Sequence, residues 1–195
     1  MLSEKTLNFA LESVNWTEYT DPECRAAVRL SVQGDSLTLR WDVTESDVRA
    51  VCAQDFENVW EDSCVEFFVA IGDDPNYYNI ECNCTGKMYM CYGSGRENRT
   101  RVPQAVLDSI PRRSSLGREP FTLKSGPLSW GLEMCLPLSA FAFHKIESFE
   151  GLRVRANFYK CGNALPHKHF LSWAEILTPR PDFHRPEFFG TFLVE

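Results

Sequence analysis

Positive charge is in short supply: 20 Lys and Arg face 27 Asp and Glu, for a formal net charge of −7. Phosphate backbones and anionic headgroups are held by basic faces, so neither nucleic acid nor a membrane surface is an expected partner. Long apolar runs are missing as well. Asp, Glu, Lys or Arg interrupts every candidate for the roughly 18 consecutive apolar residues that open a reading as a membrane span. The opening MLSEKTLNFALESVNW has no basic stretch followed by an unbroken apolar one, so no secretory signal is read and a cytoplasmic location is expected. Internal repeats and Gly-, Ser- or Pro-rich linkers are lacking too, which leaves residues 1–195 as one expected domain.

What is present is apolar and aromatic: 44% hydrophobic residues, with 14 Phe, 6 Tyr and 5 Trp, enough for one continuous core. Eight cysteines are present, yet Cys64, Cys82, Cys84, Cys91, Cys135 and Cys161 sit inside apolar strand-like runs. There Cys serves as a small buried hydrophobe, so reduced thiols are expected rather than a disulfide framework. Cys82 and Cys84 are two apart with no second matched pair, which is not zinc-ligand spacing.

Apolar and polar residues alternate far more often than they follow a helical period. The alternation predicts strands over 27–33, 36–43, 63–71, 77–84, 87–92, 130–136, 152–160 and 188–194. Gln33-Gly34-Asp35-Ser36 and Cys84-Thr85-Gly86-Lys87 are hairpin signals. The fold class expected is all-β, a two-sheet antiparallel sandwich with a few short peripheral helices, one over 103–110 and a turn over 137–143. Between Gly93 and Pro120 runs a polar excursion with six arginines, too long for an ordinary hairpin connection and readable as a solvated loop or a flap over a binding face.

The strand phase also sorts the faces. Val65, Phe67, Val69, Ile80, Val154, Ala156 and Phe158 share the apolar phase and are the expected core. Opposite them stand Glu66, then Asn79, Glu81 and Asn83, then Arg155, Asn157 and Tyr159. Carboxylates, amides and a guanidinium on one face suit the vicinal hydroxyls of a sugar, whose C–H face packs on an aromatic ring. Trp60 precedes the Glu66 strand and Trp173 follows the 152–160 strand, so two indoles could flank that face.

The segment Val59-Trp60-Glu61-Asp62-Ser63-Cys64-Val65-Glu66-Phe67-Phe68 resembles the W-x-D-D-S-V-E-hydrophobic signature of family 9 carbohydrate-binding modules. Tyr77-Tyr78-Asn79-Ile80-Glu81-Cys82-Asn83, the run from Val154 to Cys161, Phe170-Leu171-Ser172-Trp173 and the run from Pro181 to Gly190 are similar to its stand-alone bacterial relatives. The resemblance implies an immunoglobulin-like β-sandwich that binds carbohydrate without catalysis, holding the terminal sugar of a glycan between two tryptophans. On that reading Trp60, six residues before the signature glutamate, and Trp173 form the clamp, Glu66 binds hydroxyls, and Asn83, Lys87, Arg155 and Asn157 add polar contacts. It also implies a possible structural calcium, for which Asp73-Asp74 beside Asn76 is the one acidic loop cluster on offer.

Three other readings stay open. Glu66 and Glu81 could be the acid pair of a glycoside hydrolase-related protein in carbohydrate catabolism. Cys161, His167, His169 and His184 could gather a zinc ion. A structural or protein-interaction sandwich that has lost its sugar site would instead bury both tryptophans.

Overall fold

Period-two alternation becomes twelve described strands in the computed structural model, which describes residues 6–194. One sheet comprises β1 (Thr6–Ala10), β2 (Arg25–Gln33), β3 (Ser36–Ala50), β9 (Phe121–Pro137) and β8 (Arg112–Ser114), in that spatial order. The other runs β11 (Phe170–Ser172), β10 (Arg153–Cys161), β4 (Cys64–Ile71), β5 (Tyr77–Asn83), β6 (Met88–Gly93), β7 (Arg99–Arg101), with β12 (Gly190–Leu193) also paired to β10. Every pairing is antiparallel. The sandwich expected from the alternation is the fold observed.

The two sheets meet through the side chains that share the apolar phase. Leu30, Leu39, Trp41, Leu132 and Met134 from the first sheet meet Val65, Phe67, Val69, Ile80, Met90, Val154, Ala156 and Phe158 from the second in one buried cluster. All seven expected core residues are in it. Phe67 and Phe158, directly opposite each other across β4 and β10, stack at 4.9 Å between centroids. Burying each such side chain contributes about 1.5–3 kcal/mol, which is what fixes the strand register. Gly34 and Gly86, both at positive φ, make the β2–β3 and β5–β6 turns that a side chain would strain.

One end of this inner layer is polar. Lys160 follows the inward phase of β10 and is fully buried, where its ammonium donates to Glu45 Oε2, the Cys161 carbonyl and His169 Nε2, each at 2.8 Å. Burial opposes its charge, but the adjacent Glu45 carboxylate outweighs that and raises its pKa. His169 is driven the other way, to about 3, by burial and by Lys160, so it stays neutral and accepts.

The long polar excursion contains β7, helix α1 (Gln104–Asp108) and β8 rather than plain loop. A 3-10 turn at Leu138–Ala140 follows β9.

The outer face of the second sheet is not left to solvent. Segments 11–24 and 173–189 cross it and build a second apolar cluster from Trp16, Phe68, Tyr77, Tyr159, Phe170, Ile176 and Phe183. The two segments hold each other: Trp16 Nε1 donates to the Thr178 carbonyl at 2.8 Å, and the Ile176 N–H donates to Asn15 Oδ1 at 2.8 Å. Seven of the eight cysteines are buried and Cys135 is half-buried, all as free thiols. Burial pushes Cys24, Cys52 and Cys82 up to about 12.

Candidate functional site

Where the covering segments part, the sheet forms the floor of a cavity of about 600 Å³. That lies within the roughly 300–1,000 Å³ of small-molecule sites. Register decides the floor. Tyr159 lies opposite Glu66 across β10 and β4, Glu66 opposite Glu81 across β4 and β5, and Glu81 opposite Tyr89 across β5 and β6. Four neighbouring strands thus lay two carboxyl groups between two phenols.

The walls come from irregular chain. Trp60 sits on a 3-10 turn, Val59–Glu61, half-buried, its ring 5.3 Å from that of Tyr89 and nearly perpendicular to it. Lys168 reaches over the rings of Tyr19 and Phe170 at 5.0 and 5.4 Å. Phe183 lies flat on Tyr159 at 4.1 Å. Arg96 and Arg99, from the polar excursion, close another side: Arg96 donates to Asp182 at 2.8 Å, and Arg99 Nη1 lies 3.6 Å from Glu81 Oε1. Two of the six arginines therefore border the cavity. Arg112, by contrast, is spent on a buried pair with Asp55 at 2.8 Å.

Burial sets the electrostatics. Glu66 is 3% exposed and is raised well above the usual carboxylate range by burial first, then by Cys161 and Glu81. Burial raises Glu81 to about 7 against the opposing pull of Arg99 and Asn79, whose Nδ2 donates to Glu81 Oε1 at 2.8 Å. Burial and the two arginines take His184 down to about 3. It is therefore a neutral ring: Nε2 accepts from Arg99 at 3.3 Å, which leaves Nδ1 to donate to Tyr77 Oη at 2.7 Å. A protonated or half-protonated carboxyl both donates and accepts, so this floor can meet a hydroxyl in either role.

Of the residues expected to hold a sugar, the cavity is lined by Trp60 and Glu66 but not by Trp173. The Trp173 ring lies on the other side of β10, against Phe9 at 4.8 Å and Phe158 at 6.0 Å. It packs so tightly on β12 that a side chain on Gly190 would meet it at 2.4 Å. The structure therefore does not bring two tryptophans together into a clamp.

The four other polar candidates, Asn83, Lys87, Arg155 and Asn157, are also not brought to the cavity, and three of them hold the scaffold. Asn83 is fully buried, donates to Asp62 at 2.9 Å and accepts the Lys87 N–H at 2.8 Å, which shapes the β5–β6 turn. Asn157 donates to the Ala174 carbonyl and accepts its N–H, pinning the covering segment. Arg155 donates to the Asp74 carbonyl at 2.9 Å. Lys87 stands at the turn beyond the floor row and lines no part of the cavity.

The calcium and zinc expectations meet residues already in use. Asp73 pairs with Arg153 at 2.7 Å, while Asp74 accepts from Tyr92, the Asn76 N–H and His144. They form no oxygen cage of the kind calcium takes. His167 is turned to Asp47, His169 to Lys160 and His184 to Tyr77, so they do not converge on Cys161.

Tyr19, Lys168, Phe170, Phe183 and Arg180 were not singled out as site residues, though they line the cavity. Phe170 could have been found from strand phase, since it stands opposite Cys161 and so faces outward. Tyr19 and Arg180 lie in segments with no period to read.

The family model for carbohydrate-binding family 9 matches residues 1–194. Among solved structures, a candidate carbohydrate-binding protein of Bacteroides uniformis ATCC 8492 is 43% identical, with a TM-score of 0.92 over 97% of this chain and 86% of that one. A family 9 module from Caldicellulosiruptor kristjanssonii in complex with cellotriose shares the fold at 11% identity, TM-score 0.55, over 98% and 83% of the two chains. The glucose complex of a family 9 module from the same organism aligns at 13% identity, TM-score 0.51, over 90% and 79%. No curated protein matches the chain.

Proposed function

Because the chain belongs to carbohydrate-binding family 9, we propose that the cavity on the outer face of its second sheet is the sugar site, with Trp60 as the single indole that a pyranose ring stacks on. One observation carries the reading: a half-buried indole borders the same cavity as two carboxyls of raised pKa, with two guanidiniums beside them. Stacking places the apolar C–H face of the ring against Trp60. The hydroxyl rim then meets Glu66, Glu81 and Arg99, which between them donate and accept. The covering segments and the two arginines bound the cavity at its sides, which favours the end of a glycan over its middle.

Calorimetric titration with glucose, cellobiose and cellotriose tests the reading. Saturable binding of at least one is expected, and Trp60→Ala weakens it by about tenfold or more, ~1.4 kcal/mol. Absence of binding to all three and to a wider glycan set, or unchanged affinity in a folded Trp60→Ala protein, refutes it.

A further inference from the structure

At the cavity floor two thiols that hydroxyl recognition does not use meet one carboxyl that it does. Cys64 and Cys161 stand directly opposite each other across β4 and β10, and Glu66 lies two residues along β4 on the same face. Their two sulfurs and a carboxylate oxygen all lie within 4.8 Å of one another, the one such group of three or more ligating side chains among the described residues. Cys161 Sγ already sits 3.1 Å from Glu66 Oε1, where it donates. Bonds of about 2.3 Å to sulfur and 2.0–2.2 Å to oxygen put neighbouring ligands of a tetrahedral zinc roughly 3.5–3.8 Å apart. The three donors surround that spacing and need only rotamer-scale adjustment to reach it.

Three further observations favour a ligand here. Glu66 and Cys161 line the cavity, so a cation held by them keeps its fourth position toward open space. Asn163, whose N–H donates to the Trp60 carbonyl at 3.1 Å, borders the same cavity with a buried Oδ1 that has no hydrogen-bond partner. A water on the cation could donate to it. Two thiolates and a carboxylate around a divalent ion leave one excess negative charge, and Arg96 and Arg99 line the same cavity.

We propose that Cys64, Glu66 and Cys161 form a three-ligand site for a thiophilic divalent cation of the zinc class, its fourth position open to a water from the cavity. Thiolate donors select such an ion over calcium or magnesium, which take oxygen. On binding, the metal–sulfur bonds form as both thiol protons, and the Glu66 proton where it is carried, leave to solvent; no oxidant or reductant is involved. The site shares Glu66 with the sugar reading, but its test requires no saccharide, so the two readings fail separately.

The test uses the full chain, reduced and stripped of metal, titrated with Co²⁺ and Zn²⁺. One equivalent of Co²⁺ with a thiolate-to-cobalt charge-transfer band is expected, displaced by Zn²⁺. Cys64→Ser and Cys161→Ser each abolish the band, Glu66→Gln weakens cobalt affinity, and Cys135→Ser, half-buried in the other sheet, leaves both unchanged. The wild-type band needs no variant to fold, so it decides even if a buried substitution does not. No binding at excess metal, binding without the band, or a band that survives both Cys64→Ser and Cys161→Ser overturns the proposal.

Discussion

Asp62, two residues beyond Trp60, gathers four donors on one carboxylate, and replacing it with alanine makes a demanding test. Its side chain is fully buried. Oδ1 accepts from Arg49 Nη1 at 2.7 Å and the Val51 N–H at 2.9 Å, while Oδ2 accepts from the Cys52 N–H at 3.0 Å and Asn83 Nδ2 at 2.9 Å. In Asp62→Ala the Cys52 and Asn83 donors lose their partner inside the protein, at ~1–3 kcal/mol each. The Arg49 side chain is 20% exposed and Val51 is exposed, so water takes up part of their loss. The expected destabilisation is about 4 kcal/mol, read as ΔΔG from urea unfolding, within the ~3–5 kcal/mol of breaking a buried charge pair. Asp62→Asn must point an NH₂ at one of the two donor pairs, so it recovers at most half. A loss below about 1 kcal/mol in Asp62→Ala, or an Asn variant as stable as the wild type, refutes the account of Asp62 as an acceptor for four donors.

Trp173→Ala should cost ~3–5 kcal/mol of stability through the void left among Phe9, Phe158 and Phe192, while the folded variant binds sugar as the wild type does. A selective loss of sugar affinity with stability intact would contradict its placement in the core. Glu81 has a folded pKa raised from 4.5 to about 7, so the native state holds its proton more tightly than the unfolded chain. Its contribution to stability is therefore fully present below about 4.5 and is lost as pH rises through about 7. Glu81→Gln should flatten the stability profile across that window, and an unchanged slope in urea unfolding from pH 4.5 to 7.5 would show that Glu81 is not the group responsible.

Much of the fold was legible because strand phase is local. A residue's face follows from its neighbours two positions away, so Phe67 and Phe158 were assignable to the core and Glu66 and Glu81 to the opposite face without knowing the topology. Trp173 shows where that reading fails. It follows β11, which is three residues long and too short for alternation to declare itself, yet the phase set by Phe170 and Ser172 outward sends Trp173 inward. Asn83 and Asn157 were placed on the correct face, but their amides serve a turn and a covering segment, a use that depends on what arrives from elsewhere in the chain.

By itself the sequence determined two antiparallel sheets, the identity of the buried layer and the family to which the chain belongs, because these rest on short-range periodicity and on a contiguous motif around Trp60 and Glu66. Only the tertiary structure decided that the polar face is roofed by segments 11–24 and 173–189, that Arg96 and Arg99 reach it, and that Cys64, Cys161 and Glu66 meet there. Most of those contacts join residues far apart in the chain, such as Cys161 with Glu66, separated by 95, and Trp16 with Thr178, separated by 162. No local pattern encodes such distances. They follow from strand order and from apolar burial on the outer face.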